Sequence, residues 1–235
     1  MKLRVKFTKY GALRFIGHLD VMRFFQKTIR RAEIDVAYSA GFSPHQIMTF
    51  AAPLGVGLQS NGEYMDIEVH SIESCKAVMD ALNAASVPEI QVVSVKVLPE
   101  KAENAMASVF SAEYTVSFRE GRKPDVDFEK AVNEYLSKDS IILHKTTKKG
   151  TRDMDLKPGI YKLGWNPDSE SFHMLLDASS SNNIKPIQII ETMLADYDQI
   201  LMENALLIMR EDVYTNTGTE ENPVHTSLGD IGSDE

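Results

Sequence analysis

The 235-residue sequence contains a single cysteine, Cys75. Disulfides need pairs, and structural zinc sites draw on several thiolates or imidazoles at short spacing. An iron–sulfur cluster takes several thiolates as well, so this chain can hold none of the three. No stretch approaches the ~20 apolar residues of a membrane-spanning helix. The start, Met1-Lys2-Leu3-Arg4-Val5-Lys6-Phe7, alternates instead of forming the continuous apolar core of a secretory signal. A cytoplasmic location without membrane contact is expected. The sequence also lacks the Gly-x-x-x-x-Gly-Lys phosphate loop, the Gly-x-Ser-x-Gly elbow, the His-Glu-x-x-His zinc pair and the Gly-x-Gly-x-x-Gly dinucleotide fingerprint. No cofactor and no metal are expected.

Positive charge is scarce overall, with a net charge of -9, which argues against a generic nucleic-acid binder. Its distribution is uneven. Residues 1–50 hold nine Lys or Arg against Asp20, Glu33 and Asp35, a net +6, which leaves -15 for the rest; from Glu211 to Glu235 there are seven acids and no base. Such asymmetry points to a local basic face. At 43% apolar and 25% charged residues, the composition is that of an ordinary globular chain.

Leu3, Val5 and Phe7 alternate with basic residues, the period of a strand over 2–8. Val21, Phe24, Phe25, Thr28, Ile29 and Ala32 recur at helical spacing behind Asp20 as cap, with Arg23, Lys27, Arg30 and Arg31 on the opposite face. Val36–Ser39 reads as strand two and Met65–Val69 as strand three. A helix capped by Ser71 then carries Cys75, Val78, Met79 and Leu82, and Val93–Val97 is strand four. This βαββαβ order is ferredoxin-like. It recurs in Tyr114–Phe118, a helix over 128–136, Ile141–His144, Phe172–Leu176, a helix opened by Pro186, and Leu206–Met209, with a hairpin-like insertion around Gly159–Trp165. The expected fold is therefore α+β: two tandem ferredoxin-like βαββαβ units, antiparallel sheets with helices packed on one face. Residues 1–98 form the first unit, 99–110 a linker, 111–214 the second unit with its inserted hairpin, and 215–235 a disordered acidic tail.

Topology gathers three polar segments of the first half, Arg14–Asp20, Tyr38–His45 and Ser60–Glu63, on one rim of the sheet. Gly41 and Gly62 suit tight turns. His18 and His45 are the candidate catalytic groups, each matched by the plainer role of a histidine that pins a loop. Asp20, Ser39, Ser43, Ser60 and Glu63 complete the rim, and Glu63 and Asp66 with both histidines are a weak metal constellation. Arg14, Arg23, Lys27, Arg30 and Arg31 are candidate phosphate contacts, and Tyr10, Phe15 and Phe42 candidate stacking surfaces. A second basic patch is Lys145, Lys148, Lys149 and Arg152. Cys75, on an apolar helical face, reads as packing.

Arg14–Asp20, Tyr38-Ser39, Gly41–His45, Phe50–Leu54 and Ser60–Asp66 together resemble the signature of the radical-SAM-linked proteins, a bacterial family of unsettled biochemistry. The resemblance is strong over residues 1–100; beyond them Asp155-Leu156-Lys157-Pro158 is the best landmark. Members are found beside or fused to B12-type radical-SAM proteins, which implies a radical-SAM enzyme as partner. With one cysteine the chain is not itself such an enzyme. The first half also resembles, more distantly, the ferredoxin-like RNA-processing proteins of CRISPR systems, which implies RNA. The expected function is a non-catalytic accessory protein that binds RNA or an RNA-associated substrate for that enzyme. The alternatives are a metal-independent endoribonuclease using His18 and a protein–protein adaptor without a nucleic-acid role.

Overall fold

A computed structural model of the protein describes residues 1–147 and 150–234. Two compact units divide the chain, Met1–Phe110 with Arg210–Glu235 and, between them in sequence, Ser111–Met209.

The first unit opens with β1 (Lys2–Lys9), a 3-10 turn at Gly11–Phe15, α1 (His18–Arg31), β2 (Met48–Phe50), β3 (Gln59–Glu68), α2 (Cys75–Ala84) and β4 (Val92–Val97). β1 lies antiparallel between β3 and β4. Leu3, Val5 and Phe7 form the buried face of β1, and Val21, Phe25 and Ile29 of α1 with Val78 and Leu82 of α2 join the same core. The alternate position Arg4 is buried too, because its guanidinium holds Asp66 at 2.9 and 3.0 Å and donates to the Glu103 carbonyl. Asp66 also accepts from the Ala105 amide at 2.6 Å. Residues 103 and 105 of the expected linker 99–110 are thus hydrogen-bonded to the sheet.

Several local expectations change. Val36 and Tyr38 form only isolated bridges, to Val69 and Gln46, and the second strand is Met48–Phe50. The cap of α1 is Gly17, not Asp20, which sits in the first turn. Ser74 rather than Ser71 caps α2, accepting from the Ala77 amide. A serine three residues nearer the helix satisfies an otherwise orphaned N–H, which Ser71 is too far away to reach.

The second unit contains β5 (Ser111–Phe118), α3 (Phe128–Leu136), β6 (Ile142–Thr147), β7 (Gly150–Asp155), β8 (Ile160–Asn166), β9 (Ser171–Asp177) and α4 (Pro186–Ala195). The inserted hairpin is β6–β7, a two-stranded sheet of its own. The piece around Gly159–Trp165 is instead β8, which pairs with β9, and β9 pairs with β5. Trp165 earns this place by packing on Phe172 and Phe128, at ring-centroid distances of 4.7 and 5.0 Å. Lys148 and Lys149 of the second basic patch lie outside the described residues.

β10 (Leu206–Asn216) and β11 (His225–Ser227) complete the strands. They overturn the expectation of two tandem ferredoxin-like units with separate sheets. The strands follow one hydrogen-bonded path, β4-β1-β3-β10-β5-β9-β8, with β2 off β3 and β11 off β10, nine strands in all. Strand length explains the difference. The three residues of β2 cover only Met65–Ile67 of the ten-residue β3, and an uncovered strand edge calls for a partner; β10 supplies it. The segment expected to be a disordered acidic tail carries β11, which pairs with Tyr214–Asn216, a fully buried Leu228, and a bridge from Ser233 to Val97. Among the described residues no helix is long and apolar enough to cross a membrane.

Candidate functional site

β1 ends at Lys9, the chain turns through Gly11–Phe15, and α1 begins at His18, so all three lie at one end of the first unit's sheet. Beneath this rim Phe7, Lys9, His18, Phe50, Leu54 and Glu63 line a pocket enclosing about 20 Å³, room for about one water molecule. The His18 ring stands edge-on to Phe50 at 5.2 Å. Lys9 is buried and donates to the Ile16 carbonyl at 3.0 Å. Burial pushes its pKa down; Glu63 opposes that shift and Arg210 adds to it.

Arg210, from β10, forms a buried two-pronged ion pair with Glu63, with one contact at 2.7 Å, and donates to the Ala52 carbonyl at 2.5 Å. Ser60 Oγ donates to the Arg210 carbonyl at 3.1 Å. Gly62 makes this approach feasible. A Cβ there would stand 2.6 Å from Asp212 Oδ1 and 2.8 Å from the Glu211 carbonyl, so the glycine serves β10 rather than a turn. Gly41, at φ 110°, does serve one.

The rim residues therefore separate into two groups. His18 and Glu63 share the pocket, while Ser60 fastens β10. The cations near His18 are committed, Lys9 to a carbonyl and Arg210 to Glu63. Asp66 is taken by Arg4, and among the described residues no three His, Cys, Asp or Glu side chains could hold a metal ion. Tyr10 donates to Asn61, and its hydroxyl pKa is raised by burial and by Glu211. Arg210 was not legible as a site residue, because its partner Glu63 lies 147 positions away; the one signal was a lone cation inside the run Leu206–Tyr214.

The second group is exposed. Ser39 and His45 close a loop: the Ser39 amide donates to the His45 carbonyl at 2.8 Å, the His45 amide donates to Ser39 Oγ at 3.1 Å, and His45 Nδ1 shares a hydrogen bond of 2.9 Å with that hydroxyl. His45 thus pins its loop. Ser43 is exposed within it, and Phe42 projects fully into solvent. Gln46, at the foot of the loop, donates to the Gln26 carbonyl of α1 at 3.3 Å, which sets the loop beside that helix. Arg23, Lys27 and Arg30 follow one another at four- and three-residue steps, one face of a helix, and all three are exposed. Arg23 holds the exposed Asp20 at 3.3 Å. Among the described residues Lys27 and Arg30 have no side-chain partner. Arg31 differs: it donates to the Ala85 carbonyl at 2.7 Å and ties α1 to the end of α2. Arg14 lies over the Phe15 ring at 4.7 Å.

Residues 2–186 match a family described as an uncharacterized protein conserved in bacteria (DUF2344). No curated protein matches the chain.

Proposed function

The chain belongs to the DUF2344 family of uncharacterised, radical-SAM-associated bacterial proteins, and from that premise we propose that it is a non-catalytic accessory protein, binding RNA or an RNA-associated substrate for a radical-SAM enzyme. One cysteine in the chain leaves the cluster chemistry to the partner. The observation that carries the RNA reading is the exposed stripe Arg23, Lys27 and Arg30 on α1, two of whose cations have no side-chain partner among the described residues. Lysine and arginine held in a row on a rigid helix release counterions when they meet phosphates, so affinity depends steeply on salt. On β1 the cations Arg4 and Lys6 are paired with Asp66 and Asp212, so the exposed positive charge of the first 50 residues is carried in good part by this stripe.

The test is fluorescence anisotropy with a labelled RNA at low salt. Arg23→Glu/Lys27→Glu/Arg30→Glu should abolish binding while leaving the thermal transition within a few degrees, since surface substitutions of this kind change stability by about 0.5 kcal/mol or less. Arg31 is left intact because of its bond to Ala85. Wild-type protein that ignores RNA at low salt, or a triple variant that binds as well as wild type, defeats the proposal.

A further inference from the structure

Resting on the RNA reading just given, we infer that this surface takes unpaired nucleotides, with Phe42 as the platform on which one base stacks and the α1 stripe as the contact to the phosphates beside it. Phe42 is fully exposed, an unusual place for a phenyl ring that no core needs. It is not on a slack tip. The Ser39–His45 hydrogen bonds close the loop across its neck, Gly41 takes the left-handed turn at φ 110°, and Gln46 ties the foot to Gln26. A ring held out on a braced loop loses little further freedom on stacking, so more of the contact energy appears as affinity.

The geometry also discriminates among RNAs. Gln26 lies one residue from Lys27 and four from Arg30, so the loop foot is anchored within the basic stripe. In an A-form duplex the base faces are stacked on one another and the deep groove excludes side chains, whereas loops, bulges and single strands can splay a base onto an aromatic ring. The half-exposed Tyr38 at the neck of the same loop adds a second aromatic edge within one or two nucleotides' reach.

Two labelled RNAs of equal nucleotide and phosphate count, one unstructured single strand and one blunt duplex of half its length, are titrated at low salt against wild type, Phe42→Ala and Phe42→Trp. The single strand should bind about tenfold or more tighter than the duplex, in keeping with base–aromatic stacking. Phe42→Ala should bring the single strand down to the duplex value without changing the salt slope. Phe42→Trp should keep the preference, with its indole emission quenched by the single strand. Equal affinity for both RNAs, or a single-strand preference that survives Phe42→Ala, overturns this inference and leaves the RNA reading standing. Binding of neither RNA overturns both. Loss of a radical-SAM partner protein from Phe42→Ala, with RNA binding unchanged, identifies the loop as a protein contact and overturns this inference alone.

Discussion

Glu63, Arg210 and Lys9 show how one buried anion organises the rim. Glu63 and Arg210 are 7% and 5% exposed at the side chain, and Lys9 feels the carboxylate electrostatically without pairing to it. Removing one member of a buried pair costs about 3–5 kcal/mol because the other charge is stranded. The two single variants should differ. Arg210→Met leaves Glu63 with Lys9 still nearby, whereas Glu63→Gln leaves two buried cations and no counter-charge, so Glu63→Gln should be the more destabilising in denaturant unfolding. The pair Glu63→Leu/Arg210→Met should recover much of the loss. A milder effect from Glu63→Gln would show that Lys9 does not share the carboxylate. Lys9 and Arg210, the cations bound up with Glu63 at this pocket, both have structural commitments, so neither is free to stabilise a phosphorane beside His18. His18→Ala should therefore leave RNA affinity unchanged, and RNA incubated with wild-type protein in chelator should remain intact.

Among the elements, α3 and α4 meet through Tyr135, whose hydroxyl lies 2.6 Å from Thr192 Oγ1. Tyr135 is 1% exposed, and burial, only partly offset by the Thr192 hydrogen bond, pushes its pKa up to about 12. The sign of the linkage is definite. Between about pH 10, where the unfolded tyrosine loses its proton, and about pH 12, the folded state binds more protons, so stability falls as pH rises, by up to about 1.4 kcal/mol per pH unit for this group. Tyr135→Phe should lose about 1 kcal/mol at pH 7, since Thr192 keeps its bond to the Gln188 carbonyl. It should also flatten the alkaline decline, and unfolding curves at pH 8, 10 and 11 measure both effects. At this scale the sequence was most legible. Apolar spacing marked Phe128, Ala131, Val132 and Tyr135 as one face of α3, and all four are buried. Strand two was misplaced because Val36–Ser39 alternates as a strand would, while Met48–Phe50 is too short for a period to be read.

For the whole molecule, hydrophobic periodicity reports which residues are buried but not which distant strand lies alongside. The rim segments around His18 and Glu63 could be collected from topology, yet Arg210 could not, since nothing local to β10 says that it borders β3. The C-terminal segment was misread for a related reason. Residues 215–235 are polar, and polarity alone suggests disorder, but their order comes from hydrogen bonds to partners far back in the chain. Ser227 Oγ donates to Asp212 at 2.8 Å and lies 3.0 Å from the Tyr64 hydroxyl, which itself donates to Asp212 at 2.5 Å while Lys6 holds the same carboxylate at 3.0 Å. Burial and the Asp212 charge push the Tyr64 pKa up, so the network stays protonated and neutral at that hydroxyl through the physiological range. Leu228 next door is fully buried. A disordered tail could be removed without consequence; this one should not be. Leu228→Ala should cost about 2–5 kcal/mol, the range for a leucine truncated in a packed core. Removing residues 217–235 should lower the unfolding midpoint further, because it also strips Asp212 of Ser227 and Val97 of Ser233. Limited proteolysis offers an independent check, since cleavage should concentrate away from 225–231 in the intact chain. Rapid cutting there, or an unfolding midpoint unmoved by the truncation, would show that the segment does not belong to the folded unit.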